Sequence, residues 1–301
     1  MTDPAVVVRA ESLTKKYGRT LALDRLTLEV RAGGVLGFLG PNGAGKTTTL
    51  RLLMGYLRPT AGSVYVHGLD AWRDRVAVHA RTGYLPGDVR LWPQLTARAA
   101  AGHLARLRGL GHDRGFIDIA KRLDVDLDRP VRELSRGNRQ KVGILLALLG
   151  DPDLLLLDEP TSGLDPLIQQ EFHHMLRERV EAGAAVVLSS HVLSEVEHVA
   201  DRVAIIRAGR LLMAESLATL RETARHTVEV RFACPPPPDA FAGVPGIRDV
   251  RLDGPVLRCT MQGAVDPLVK TLGRYTVVDL NSREADLEET FLALYGEDDR
   301  S

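Results

Sequence analysis

Cysteine is nearly missing from this chain: Cys234 and Cys259 are the only two in 301 residues. Two cysteines are too few for a disulfide framework, and the sequence predicts reduced, buried thiols. Charge of one sign is also not in excess. Lys+Arg and Asp+Glu are both 39, so the net charge is zero, which removes the electrostatic case for nucleic acid or an acidic membrane surface. Long hydrophobic runs are lacking as well. The longest, Ile144–Leu149 and Leu154–Leu157, are broken by Gly150, Asp151, Pro152 and Asp153, far short of the ~20 residues that span a bilayer. The chain itself is therefore not expected to cross a membrane. Its start, Met-Thr-Asp-Pro, carries an acid and a proline where a secretory signal shows a basic end and an apolar stretch, which predicts a cytoplasmic location. No internal repeat and no long run of like charge is present. What remains is 45% apolar and 26% charged, an ordinary globular balance. At ~100–200 residues per domain the length predicts two domains, or one with an appendage.

Residues 5–11 and 20–30 alternate apolar and polar side chains around Gly18, as half-buried antiparallel strands do. Val35–Leu39 reads as a fully buried strand. From there to about Leu212 the apolar runs Val64–Val66, Leu154–Leu157, Ala185–Leu188 and Val203–Ile206 alternate with helical patterns, which predicts an α/β domain with a largely parallel sheet. Between Leu95 and Leu149 the pattern is almost all helical, a helical subdomain of about 88–150. The first domain is expected over 5–222 and an accessory domain over 223–301. In the tail a helix is expected at 217–222 and a strand at Val228–Phe232. After Pro235–Pro238 come a short helix near 239–242, strands near 247–252 and 256–261, a helix near 265–273, a strand at 275–280 and a last helix at 286–295. The order β-α-β-β-α-β is that of a ferredoxin-like α+β unit.

Gly40-Pro41-Asn42-Gly43-Ala44-Gly45-Lys46-Thr47 fits G-x-x-x-x-G-K-[ST] between the strand Val35–Leu39 and an apolar helix beginning at Thr48. Glycines let successive N–H groups converge on phosphate oxygens, and the helix N-terminus adds partial positive charge. The phosphate-binding stretch runs from Gly40 to Thr48, with Lys46 on the β- and γ-phosphates and Thr47 on Mg²⁺. Downstream, Leu154–Leu157 ends in Asp158-Glu159-Pro160. An acid at such a strand end holds Mg²⁺ in P-loop enzymes, which makes Asp158 the candidate and leaves Glu159 to polarise the attacking water. Ser135 reads as the cap of an apolar helix.

The chain also carries Leu134-Ser135-Arg136-Gly137-Asn138-Arg139-Gln140 before the acid pair, Ser162-Gly163-Leu164-Asp165 after it, and His191 after the strand Ala185–Leu188. In this order and spacing, residues 5–215 resemble the nucleotide-binding subunit of an ATP-binding cassette (ABC) transporter. The resemblance implies a P-loop NTPase fold of α/β class, with a mixed sheet, an antiparallel β-subdomain and a helical subdomain. It implies two copies sandwiching two ATP molecules, each held between the phosphate loop of one chain and the signature segment, Ser135 and Gly137, of the other. It further implies that Tyr17 stacks on adenine, that His191 contacts the γ-phosphate and positions water, and that Asp165 lies in a loop communicating between the two sites. ATP and Mg²⁺ are the implied cofactors. The implied partner is a separate polytopic permease, bound through the helical subdomain, that holds the chain at the inner face of the membrane.

Two positions depart from the family pattern. Where a glutamine usually follows Gly-Tyr-Leu-Pro, this chain has Gly87 and then Asp88; Gly87 has no side chain to touch Mg²⁺ or water, and Asp88 is the neighbouring candidate. In the signature, Arg136 and Asn138 replace a glycine and a glutamine. That variant signature, with the stretch Asp286–Leu292, is similar to ATPase subunits of bacterial drug- and antibiotic-resistance exporters. Two other readings fit parts of the chain: a non-transport ABC ATPase acting on ribosomes or DNA, and a degenerate subunit that senses ATP without hydrolysing it. The single cassette without a coiled-coil insertion argues against the first.

Overall fold

The computed structural model describes residues 5–110, 115–223, 225–262 and 265–284. It divides into two compact units, Met1–Glu215 and Ser216–Ser301. In the first unit, β1 (Val6–Tyr17) and β2 (Thr20–Arg31) form an antiparallel hairpin with Tyr17 opposite Thr20. Next come β3 (Val35–Leu39), buried at every position, and α1 (Lys46–Leu53). Then β4 (Ala61–Val66) and β5 (Leu69–Asp70) complete a first sheet of order β2-β1-β4-β5. Val64–Val66 thus lies in an antiparallel sheet, not in the parallel one its apolar run suggests. Val64 and Val66 are buried and Tyr65 is exposed, the alternation of a strand with one wet face.

After α2 (Arg75–Arg81) and β6 (Thr82–Leu85) the chain is helical, with α3 (Ala97–Leu107), α4 (Phe116–Arg122), a 3₁₀ turn at Val131–Glu133 and α5 (Arg136–Leu148). The unit closes with β7 (Leu154–Asp158), α6 (Pro166–Glu181), β8 (Ala185–Ser190), α7 (Leu193–Glu197), β9 (Arg202–Arg207) and β10 (Arg210–Ser216). The second sheet runs β10-β9-β3-β8-β7-β6, parallel from β9 to β6. Positive φ at Ala208 (46°) and Gly209 (79°) makes the two-residue turn that sends β10 back along β9. Every residue of β3, β7 and β8 is buried, because both faces of this parallel sheet are covered, one of them by α1 together with the first sheet, whose Val8, Leu26 and Leu28 share a core with Leu36, Leu154 and Val187. Each of Leu154–Leu157, fully buried, contributes about 1.5–3 kcal/mol. Since these strands run the same way, the loops after β3, β7 and β8 emerge at one edge, where open α/β sheets bind ligands.

The second unit begins with α8 (Leu217–Thr223), whose start is marked by Thr219 N–H donating to Ser216 Oγ at 3.0 Å. The helix expected within 5–222 therefore lies in the second unit. The unit continues with β11 (Arg225–Phe232), β12 (Ile247–Asp253), β13 (Val256–Gln262), α9 (Asp266–Leu272) and β14 (Val277–Glu284). Its sheet, β12-β13-β11-β14, is antiparallel throughout, the strand order of a split βαβ unit. The short helix expected near 239–242 is instead a series of turns, squeezed between Pro235–Pro238 and Gly243. Phe241 nevertheless fills the core and stacks on Phe232 at 5.9 Å. Of the two thiols only Cys259 is buried, and burial pushes it up to about 11; Cys234, next to the proline run, is exposed. The helix expected at 286–295 and the stretch Asp286–Leu292 lie outside the described residues. Among those described, no helix is long and apolar enough to cross a membrane.

Candidate active site

The loop after β3 turns into α1 through Gly45, whose φ of 113° and neighbours admit no side chain: a Cβ there would meet Leu23 Cδ2 at 2.7 Å and the Ala22 carbonyl at 2.8 Å. Lys46, only 6% exposed, folds back over the loop. Its Nζ donates to the Gly40 carbonyl at 2.5 Å and to that of Pro41 at 3.4 Å, and stands 3.4 Å from Glu159 Oε1. Thr47 Oγ1 donates to Asp158 Oδ2 at 2.7 Å. The first turn of α1 holds no acid, so its unpaired N–H groups and the positive end of its dipole remain available to an anion.

Asp158 ends β7 and is buried. Its other oxygen, Oδ1, accepts from Ser189 Oγ at 2.6 Å. Glu159, next along, sits at φ 50°, a left-handed conformation that costs a non-glycine residue about 1–3 kcal/mol and that clusters at functional sites. Its N–H donates to Ser189, to the carbonyl and to Oγ, both at 3.2 Å. Its carboxylate is split between two environments. Oε2 lies 2.9 Å from His191 Nδ1, whereas Oε1 is buried without a hydrogen-bond partner, so that its 3.4 Å approach to Lys46 is a charge contact rather than a hydrogen bond.

These groups border one cleft of about 210 Å³, lined by Pro41, Asn42, Gly43, Gly45, Lys46, Thr47 and Thr48 from one side and by Gly87, Asp158 and Glu159 from the other. Gly40 and Ala44 are buried behind the loop. His191, 54% exposed at its side chain, reaches the cleft through Glu159. Gly87 faces Asp158 so closely that a Cβ would stand 3.3 Å from Oδ2, while Asp88 points away, 73% exposed and paired with Arg90 at 2.7 Å. Tyr17 is not among the lining residues; its ring is half exposed at the hairpin end, with the Lys15 ammonium 5.3 Å from its centroid.

The signature residues form a second, separate group. Ser135 caps α5, its Oγ accepting from Asn138 N–H at 3.2 Å, and both Ser135 and Arg136 are exposed. Gly137 packs on the turn after β7, where a Cβ would fall 2.6 Å from the Gly163 carbonyl. Asp165 caps α6, accepting from Ile168 N–H at 3.1 Å ahead of Pro166. Two buried residues that sequence reasoning did not single out tie the groups together. Gln140 Nε2 donates to the carbonyls of Glu159 and Pro160 at 3.3 and 3.0 Å, and Ser189 bonds both acids. The signal for Ser189 was a pair of serines ending an apolar strand just before His191.

A cleft with a buried lysine, a hydroxyl beside a carboxylate and a second carboxylate with one oxygen not hydrogen-bonded is equipped to bind a phosphate chain and activate water. Comparison with known proteins points the same way. Residues 23–162 match the family profile described as ABC transporter. The chain is 34% identical over 233 residues to the bacitracin transport ATP-binding protein BcrA of Bacillus licheniformis, covering 76% of each protein. It is 34% identical over 314 residues to the daunorubicin resistance ATP-binding protein DrrA3 of Streptomyces coeruleorubidus, covering 100% of this chain and 98% of that one. Among solved structures, an ATP-binding subunit of an ABC transporter superposes with a TM-score of 0.68 at 27% identity, over 71% of this chain and 92% of that one. With motif order, sheet topology and relatives in accord, this chain belongs to the ABC transporter family, as an ATP-hydrolysing subunit.

Proposed function

We propose that two copies of this chain close around two MgATP molecules, hydrolyse them, and so drive a separate membrane permease that exports a drug, antibiotic or other hydrophobic compound. The observation that carries the catalytic part is the convergence of Lys46, Thr47, Asp158 and Glu159 on one cleft, with Glu159 Oε1 buried there, 3.4 Å from the Lys46 ammonium and without a hydrogen-bond partner. Lys46 exchanges the Gly40 and Pro41 carbonyls for β- and γ-phosphate oxygens, and the amides from Asn42 to Thr48 cradle the rest. Glu159 takes the proton of the attacking water, while His191, bonded to Oε2, holds the carboxylate and reaches the γ-phosphate. Tyr17, at the open end of the hairpin, stacks on adenine.

Thr47 Oγ1 and Asp158 Oδ2, 2.7 Å apart at the cleft wall, are the hard oxygen donors that Mg²⁺ takes in ones and twos beside phosphates and waters, so the residues fit that ion. When bound, it supplies positive charge to the phosphate oxygens. Ser135, Gly137 and Asp165 act on the nucleotide held by the second copy: the signature helix start is exposed and stands apart from its own chain's cleft. The permease docks on the helical subdomain, beside a mostly apolar cleft of about 470 Å³ that includes Tyr56, Tyr84, Leu104 and Leu107. That contact keeps the chain at the cytoplasmic face of the membrane.

The test has two parts. Phosphate release by the purified chain should vanish in Lys46→Ala together with nucleotide binding, whereas Glu159→Gln should bind ATP and barely turn it over. The ATP-trapped Glu159→Gln protein, recovered from host membranes in detergent, should carry a polytopic membrane protein in stoichiometric amount by mass spectrometry. Recovery of ribosomes, DNA or no partner would contradict the transport role.

A further inference from the structure

We infer that Ser189 is a positioning residue of the reaction, its hydroxyl setting the direction of Asp158 toward the cation and of the Glu159 backbone into the cleft. This rests on the roles of Asp158 and Glu159 proposed above. The hydroxyl has one proton, and its use is fixed by what surrounds it. An amide N–H can only donate, so the 3.2 Å contact from Glu159 N occupies a lone pair of Ser189 Oγ. The hydroxyl proton is thereby left for Asp158 Oδ1, at 2.6 Å. With Oδ1 occupied, the remaining oxygen of Asp158, Oδ2, is the one turned to Thr47 and the cleft.

The same atom supports Glu159 where its backbone is least comfortable, at φ 50°. Ser189 is 0% exposed, so no bulk water stands ready to replace it. The strand end that carries it is itself anchored. The next residue, Ser190, accepts the Gly40 N–H on its carbonyl at 3.3 Å and donates from Oγ to Glu195 Oε2 at 2.7 Å, and His191 follows directly. Among the described residues, Ser189 is the one side chain seen hydrogen-bonding to both Asp158 and Glu159. A group that orients a metal-holding carboxylate from behind typically changes metal affinity or activity by 10–100-fold when removed.

The experiment is a Mg²⁺ titration of the full chain in the presence of a fluorescent, non-hydrolysable ATP analogue, with melting temperature recorded in parallel. Ser189→Ala should raise the Mg²⁺ concentration at half-saturation by about tenfold or more, while binding of the analogue in EDTA stays as in the wild type. A merely structural serine would lower the melting temperature and leave the Mg²⁺ half-saturation in place; that result overturns the inference. If Ser189→Ala does not fold, Ser189→Cys, whose thiol is a weak donor, is judged by the same criterion. A wild-type chain whose nucleotide binding ignores Mg²⁺ would instead overturn the reading of Asp158 on which the inference stands.

Discussion

Around the start of α1 the functional side chains are buried or half-buried and touch one another, whereas at the start of α5 Ser135 and Arg136 are exposed and bonded only to their own helix and the turn beside it. Lys46, Thr47, Asp158, Glu159 and Ser189 form a continuous set of contacts between 2.5 and 3.4 Å. Ser135 serves its own helix, and Arg136 makes a long hydrogen bond of 3.4 Å to Ser162 Oγ. Both places are helix N-termini with a glycine in close packing, so local conformation does not distinguish them. What differs is whether the charge partner is within the chain. The first half-site is held together by contacts within its own chain, the kind of fixed arrangement that electrostatic catalysis requires. The second has no such partner among the described residues of its own chain, and on the proposed reading a second copy supplies it.

That contrast can be broken in steps. Glu159→Gln acts inside the wired half and should cut phosphate release by about 10²- to 10⁴-fold, as loss of a general base does, with ATP still bound by filter assay. Ser135→Ala acts on the other half. It should lower turnover by about 10²- to 10³-fold, the scale of losing one donor to a developing charge, while nucleotide binding by the single chain is unchanged. A fall in single-chain binding would erase the distinction. Gln140→Leu cuts the thread between the halves. Losing its two bonds to the Glu159 and Pro160 carbonyls should cost about 1–2 kcal/mol, lowering the melting temperature by about 2–4 °C per kcal/mol, with nucleotide binding retained. The smallest effect separates two uses of Asp165. Asp165→Asn keeps the α6 cap and its melting temperature, whereas Asp165→Ala loses about 1 kcal/mol of capping. A drop in turnover shared by both variants marks a role for the charge at the nucleotide.

The wired half was legible because its chemistry is contiguous. Gly40–Thr48 needs only a strand before it and a helix after it, and Asp158 is marked by the apolar run it ends. Ser189 and Gln140 were not legible in the same way. Their bonds to Asp158 and Glu159 cross 31 and 19 residues and exist because β8 lies beside β7 and because α5 packs near the turn after it. Val64–Val66 was placed in the wrong sheet for a related reason: three apolar-leaning residues carry no information about which neighbour supplies their hydrogen bonds. Around 239–242 the helical pattern came from Phe241 facing the core, a job that turns between prolines also perform. The antiparallel hairpin followed from its alternation, which burial of one face enforces directly, whereas β12 carries no such burial alternation.

The claim that the signature half is completed by a second copy is tested most directly by light scattering of Glu159→Gln with ATP, alone and combined with Ser135→Arg. The account predicts an ATP-dependent dimer for Glu159→Gln and a monomer that still binds ATP for the double variant. A double variant that dimerises as readily as the single one would contradict it.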